Sequence, residues 1–570
     1  MKIFSPFFFL GLLALLCLLS SISQAQINFT SSNLPIIVIN TEGAEIVDEP
    51  KINVFMGVIN NAPGQRNNLT DPYTDYQGTI GIEIRGATSQ NYPKKQYSVE
   101  LRDPDGKDTA VALLGMPKEA DWILNAPYGD KSLMRNILAY QLSRDLGHYA
   151  PRTKLCEVVL NGDYQGVYVL IERIKRDKNR VDVARLQEDE LSGDDLTGGY
   201  IIKIDRDTEG NEDGWASTYA PPYRQEDNQR IYFRYEYPDT DEIAPEQKTY
   251  IQQYIRDFED ALAGENFTDP TLGYTPYIDV NSFVDYFIVN EVSKNLDAYR
   301  LSTFLHKQKD SDGGKLVMGP VWDYNFSFGS AEFCIQNGGP EEFALSFSRL
   351  CSTDFWLAPF WWERLLEDPA YANNLATRWA GLRDGRLTTA RFTERVDSVA
   401  ALVEEAQIRN FTRWPILGER VWPNPYTGET YQDEVNYLKN WATQRLGWLD
   451  ENLPQPSVVT DPTNPIDTTG TVPIDSVVTS VELDQEKKAL AYPNPFDSQL
   501  TVQFSAPAAG QVDVLLYDLL GRPVLQTTNY HSGGPEPQFS VNTSQVPSGI
   551  YLLQLRLGNQ LLLSRRVSKY

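Results

Sequence analysis

Apolar and polar positions alternate with a period of two in five stretches of the first half of the chain, and each predicts a strand. They are residues 79–85, 96–101, 154–160, 166–171 and 200–204. Asn161-Gly162 falls between the third and fourth, which predicts a tight hairpin, because these residues tolerate the positive φ of a two-residue turn. The spacing becomes helical over 133–146 and again over 283–292, where Phe283, Val284, Phe287 and Ile288 share a face. Further helices are expected at 360–366 and 389–407. Between them lies a second hairpin pattern: a strand at 300–307, an Asp/Gly turn at 310–314 and a returning strand at 315–322. Irregular mixing of the two periods predicts an α+β fold.

The two ends depart from this pattern. An apolar run over 7–19 follows Lys2 and precedes Ser23-Gln24-Ala25, a small-residue cleavage pattern. The run is short for a membrane span, so residues 1–25 read as a signal peptide and the mature chain is expected to have no transmembrane segment. Residues 454–488 are rich in Pro, Thr, Asp and Val without apolar periodicity, the composition of a linker. Alternation returns at 500–504, 512–517 and 550–557, predicting a small all-β, immunoglobulin-like sandwich over 489–570. The body divides into a β-containing lead-in at 26–78 and a main domain at 79–453.

Composition removes several function classes. A net charge of -26 repels phosphate backbones and anionic lipid, so nucleic acid is not an expected partner. The chain has 3 histidines, none beside a GxSxG-type nucleophile signal, which argues against a Ser-His or Cys-His hydrolase. No repeated Cys/His spacing builds a zinc site. Once the leader with Cys17 is removed, Cys156 reads as a buried core thiol, and Cys334 and Cys351 would close a modest loop in an oxidising compartment.

The candidate chemistry sits at the ends of the second hairpin. Asn295-Leu296-Asp297 precedes it, and Asp323-Tyr324-Asn325 follows it. Antiparallel pairing makes the two ends neighbours, so Asp297, Asp323, Asn295 and Asn325 converge on one point, a donor set that suits a hard divalent cation. A phosphotransferase needs this layout, with one Asp for the acceptor proton and a second for the metal. Both aspartates equally suit plain turn caps, and spacing alone does not choose. The acidic turns at 103–107 and 310–314 lack the final Glu of a calcium loop and read as turns. Phe355-Trp356 and Phe360-Trp361-Trp362 suit core packing, with a sugar-stacking platform as the alternative.

These residues resemble a known family. Asn295-x-Asp297 and Trp322-Asp323-x-Asn325 with Gly329 are similar to the acidic motifs of the CotH family, atypical protein kinases of the spore coat. Arg85-Gly86-Ala87-Thr88-Ser89, Lys94-Lys95-Gln96-Tyr97, Arg135-Asn136 and the run from Asn161-Gly162 to Glu172 match in family order. The resemblance implies a kinase-like fold that binds ATP with Mg2+ or Mn2+ and phosphorylates an unidentified protein. It implies that Asp323 is a metal ligand and that Asp297 is the catalytic carboxylate or a second ligand. Lys95, or Lys94 in its place, would hold phosphate with Glu172 orienting it, and Arg85 would also contact nucleotide. The family's Asn shortly after the catalytic Asp is missing; Ser302 or Asn325 would have to substitute for it. That departure supports a rival reading, a kinase-derived surface scaffold without catalysis. The tail resembles the type A sorting domain of the type IX secretion system of Bacteroidetes, through Tyr492-Pro493-Asn494-Pro495-Phe496, Tyr517-Asp518 with Gly521, Ser548-Gly549-Ile550-Tyr551 and the last six residues. It implies export by that machinery to the surface or the medium.

Overall fold

Short apolar runs with alternating burial close into a barrel of seven strands. In the computed structural model the staves are β1 (Ile36–Asn40), β2 (Ile52–Ile59), β3 (Tyr76–Ile84), β4 (Tyr97–Arg102), β5 (Asp121–Asn125), β6 (Thr153–Leu160) and β7 (Asp163–Glu172). Their order around the barrel is β1-β2-β3-β4-β5-β7-β6, and β6 returns to pair with β1 in parallel, Ile36 opposite Glu157. Alternation fills the interior: in β4, Tyr97, Val99 and Leu101 are buried while their neighbours are half-buried. Cys156 lies inside as a core thiol, its pKa pushed up to about 12 by burial. Two staves and the start of a third come from the expected lead-in, which is thus part of the barrel. The β6–β7 turn has positive φ at Asn161 (52°) and Gly162 (79°), as its residue types demand.

Structure is described for residues 27–206, 213–334, 338–456, 489–492, 496–504, 510–517, 523–531, 538–557 and 560–569. The expected signal peptide, nearly all of the linker, and Pro493-Asn494-Pro495, Asp518 and Gly521 of the tail lie outside them.

Helix α1 (Arg135–Leu146) links β5 to β6. After the barrel comes a five-stranded sheet, β9-β10-β8-β11-β12, made of β8 (Tyr200–Ile204), β9 (Gly214–Ala216), β10 (Tyr232–Tyr237), β11 (Thr303–Lys307) and β12 (Leu316–Met318). Between β10 and β11 run α2 (Pro245–Ala263) and α3 (Val280–Ser293). The apolar face expected on α3 is only part of its burial, since every residue from Ser282 to Ser293 is buried. Among the described residues, five helices of six residues or more follow: α4 (Trp361–Leu366), α5 (Pro369–Arg383), α6 (Thr389–Leu402), α7 (Glu404–Arg413) and α8 (Tyr431–Asn452). The single helix expected over 389–407 breaks at buried Val403, and the break turns α7 onto the barrel. There Arg409 pairs with Glu157 at 2.6 Å, and Asn410 Oδ1 accepts from the Val167 amide at 3.1 Å. Trp361 and Trp362 are core residues; Phe355 remains 41% exposed. Cys334 and Cys351 form a disulfide, Cα to Cα 5.5 Å.

The C-terminal strands form two antiparallel sheets over one apolar core that includes Val502, Val514, Leu516 and Leu553, a small β domain. Among the described residues, no helix is long and apolar enough to cross a membrane.

One buried acid gives the body a pH signature. Glu259 on α2 accepts from Ser217 Oγ at 2.8 and 2.9 Å and from Trp361 Nε1 at 3.0 Å, yet burial raises its pKa to about 7. The native state therefore holds a proton between the ordinary pKa of 4.5 and about 7 that the unfolded state has released. Stability falls as pH rises through that window, by about 2–3 kcal/mol in total. Urea unfolding at pH 5 and pH 8 should show the loss, and Glu259→Gln should flatten it. An unchanged slope in the variant would assign the effect elsewhere.

Candidate active site

The β11–β12 hairpin presents its two ends to one cleft between the barrel and the helical body. Asp297 and Asp323 line that cleft with Asn325, Arg85 and the turn after β3. Five non-glycine residues between 294 and 328 have positive φ: Lys294, Tyr299, Ser302, Asp323 and Phe328. Such conformations cost roughly 1 kcal/mol or more each and persist where the surroundings enforce them.

Those surroundings are traceable. The Asp323 amide donates to Tyr140 Oη at 3.2 Å, and the Tyr324 amide donates to Asn136 Oδ1 at 2.7 Å. Arg135, paired with Asp130, donates from Nε to the Ser327 carbonyl at 2.9 Å. The first turns of α1 thus grip the segment that carries Asp323. Asn295 bridges the two acidic motifs: its Nδ2 donates to the Asp323 carbonyl at 3.2 Å, and its Oδ1 accepts from the Asp297 amide at 3.4 Å.

The two carboxylates have different settings. Asp297 Oδ1 accepts from Arg300 Nη2 at 2.7 Å. Arg300 also donates to Asp354 Oδ1 and the Trp356 carbonyl, both at 3.2 Å, and lies 3.9 Å from the Phe347 ring centroid. Asp323 has no such clamp. Burial first, and then the charge of Asp297, raise its pKa to about 6, against the opposing pull of Arg85. Arg85 is itself enclosed, with its guanidinium 5.9 Å from the Trp322 ring centroid.

Asn325 Oδ1 is buried without a hydrogen-bond donor. An orphaned amide oxygen is costly unless something positive approaches it. Asp323 lines the same cleft, so the two residues offer it hard oxygen donors, which suits a magnesium-type cation that takes its other ligands from water and phosphate. Among the described residues, no group of three or more acidic, His or Cys side chains is arranged to hold a metal unaided.

Lys95 and Glu172 are not brought together. Lys95 Nζ donates to the Gln90 carbonyl at 2.6 Å, bracing the turn that lines the cleft. Lys94 is buried; its Nζ donates to the Val167 carbonyl at 2.5 Å and Asn410 Oδ1 at 2.9 Å, and burial lowers its pKa to about 7. Both lysines precede β4, so strand alternation does not govern where they point. Glu172 is fully buried and engages Arg152 at 2.9 Å and Arg180 at 3.1 Å. Ser302 Oγ lies 3.5 Å from Asp205 Oδ2. Sequence reasoning missed Tyr140, Arg206 and the clamp role of Arg300. Tyr140 falls one turn beyond Asn136, and Arg300 is three residues from Asp297, so both had a local signal.

Two families match the chain. The family described as CotH kinase protein matches residues 82–449, and the secretion system C-terminal sorting domain matches 490–569. The inner spore coat protein H of Bacillus subtilis (strain 168) is 32% identical over 95 residues, which cover 17% of this chain and 24% of that protein.

Proposed function

The chain belongs to the CotH kinase protein family and carries a secretion-system sorting domain, and from that premise we propose that it is an exported, metal-dependent phosphotransferase acting on protein hydroxyls. The observation that carries this reading is the buried, donorless Asn325 Oδ1, on a residue that lines the same cleft as Asp323 and Asp297. When bound, a divalent cation supplies positive charge against the phosphate oxygens. Asp323 and Asn325 would hold it, and Asn295 keeps their segment in register with Asp297. Arg85 offers a second positive group to the phosphates. Asp297, fixed by Arg300, takes the proton of the acceptor hydroxyl. The acceptor oxygen bonds to the γ-phosphorus of ATP as the bridging P–O bond breaks, and its electron pair leaves with ADP. A sorting domain of this kind implies handling by type IX secretion machinery, and the reaction would then follow export.

Thermal unfolding of the mature chain, with and without ATP and Mg2+ or Mn2+, tests the site. Ligand at about 100 times Kd adds about 2.7 kcal/mol, a shift of a few degrees. The rise should require metal and nucleotide together and vanish in Asp323→Ala. No shift at millimolar ligand, with both proteins folded, would leave the scaffold reading, which the separation of Lys95 from Glu172 favours.

A further inference from the structure

Asp297 stands between two chambers. One is the cleft with Arg85, Asp323 and Asn325; the other is a pocket walled by Phe326, Phe333, Trp356 and Trp422. Thr88, Arg206, Asp297, Phe326 and Pro423 line both, so the chambers adjoin. Trp422 is 51% exposed and Phe333 38%. The Trp422 ring stands edge-on to Phe326 (79°) and to Phe333 (88°), giving three walls of a box.

We propose that this box is the acceptor subsite and that it takes an aromatic or large aliphatic side chain adjacent to the serine or threonine of a polypeptide. The proposal rests on the phosphotransfer reading and deepens it. In-line transfer places the attacking oxygen and the leaving ADP on opposite sides of the phosphorus, so an acceptor reaches Asp297 from the side away from the phosphate-binding groups. The aromatic chamber shares Asp297 with the cleft but is not lined by Arg85, Asp323 or Asn325, as such an approach requires. Its charges balance: Asp297 and Asp354 already hold Arg300, and Arg206 is the remaining charged side chain among those lining it. Within a chain of net charge -26, this locally balanced, mostly apolar pocket selects an uncharged group. A sugar ring fits it less well. Most of its lining is apolar, and Arg300, Asp297 and Asp354 are engaged with one another, so several hydroxyls of a buried sugar would lack partners, which is costly.

The test uses the mature full-length chain with magnesium and a non-hydrolysable ATP analogue. Capped peptides holding one serine flanked by phenylalanine or by glycine, and cellotetraose as the saccharide probe, are titrated by calorimetry. Phenylalanine-flanked peptides should bind at least about tenfold more tightly than glycine-flanked ones, the value of burying one large side chain. Trp422→Ala should collapse that ratio toward one, and Phe333→Ala serves as a second variant should the first unfold. Equal binding of the two peptides, or tighter binding of cellotetraose, would overturn the proposal. The thermal shift with ATP and metal separates the two readings. A shift without peptide preference sinks the acceptor subsite alone, whereas preference without a shift sinks the phosphotransfer reading, and with it the acceptor role, and leaves a box that only binds peptide.

Discussion

Asp297→Asn is expected to lower phosphoryl transfer by roughly a hundred- to ten-thousandfold, the usual contribution of a positioned general base. The replacement is isosteric, and its amide oxygen can still accept from Arg300 Nη2, which now sits 2.7 Å from Asp297 Oδ1. The clamp built from Arg300, Asp354 and Phe347 therefore stays closed, and the loss is chemical. Because Asp323 and Asn325 are the proposed cation donors, the stabilisation by metal and nucleotide should survive in Asp297→Asn and vanish in Asp323→Ala. Measuring single-turnover transfer and the unfolding midpoint on the same preparations separates the two roles. Transfer at the wild-type rate would remove Asp297 from the chemistry. Loss of the thermal shift to the same degree as in Asp323→Ala would make Asp297 a metal ligand instead.

Glu291→Ala should be the most destabilising single change, costing about 3–5 kcal/mol. Glu291 on α3 and Arg445 on α8 are both fully buried and paired at 3.0 Å. Glu291 also accepts from Tyr299 Oη at 2.8 Å and from the amides of Ala344 and Leu345 at 2.7 and 3.1 Å. Removing the carboxylate strands a guanidinium, a phenol and two amides in an apolar core. Truncating one member of such a pair costs far more than the pair contributes, because the survivor remains buried with its charge. Equilibrium urea unfolding would read the change as a lower midpoint at unchanged slope. A loss under about 1 kcal/mol would mean that water reaches Arg445 when the carboxylate is gone.

Much of the architecture was legible because local pattern and tertiary role coincide. Residues 200–204 alternate as a strand and are one, β8, and the Asn161-Gly162 turn adopts the conformation its residues require. The meeting of Asp297 and Asp323 follows from hairpin geometry, which brings the ends of a ladder together whatever lies between. What escaped depends on pairings between distant residues. Nothing local reveals that β1 and β6, more than a hundred residues apart, lie side by side, so the first strands read as a lead-in. Glu172 looked free to orient a lysine because Arg152 and Arg180 reach it from separate loops. Lys94 and Lys95 precede the strand, so its alternation does not decide which of them turns inward. Val403 breaks a helix whose spacing runs through it, since packing against the barrel outweighs one residue's helical preference.

The parallel seam between β1 and β6 sets where a viable fragment can begin. The kinase-family match starts at residue 82, inside β3, yet β1, β2 and most of β3 lie before it. A chain cut there would leave β4 and β6 with open hydrogen-bonding edges and the interior side chains of the four remaining strands facing water. Open edges of that kind recruit other chains, so the cut protein would be prone to self-association for reasons unrelated to the cleft. The unit that folds is longer at its start than the unit that carries the family's motifs.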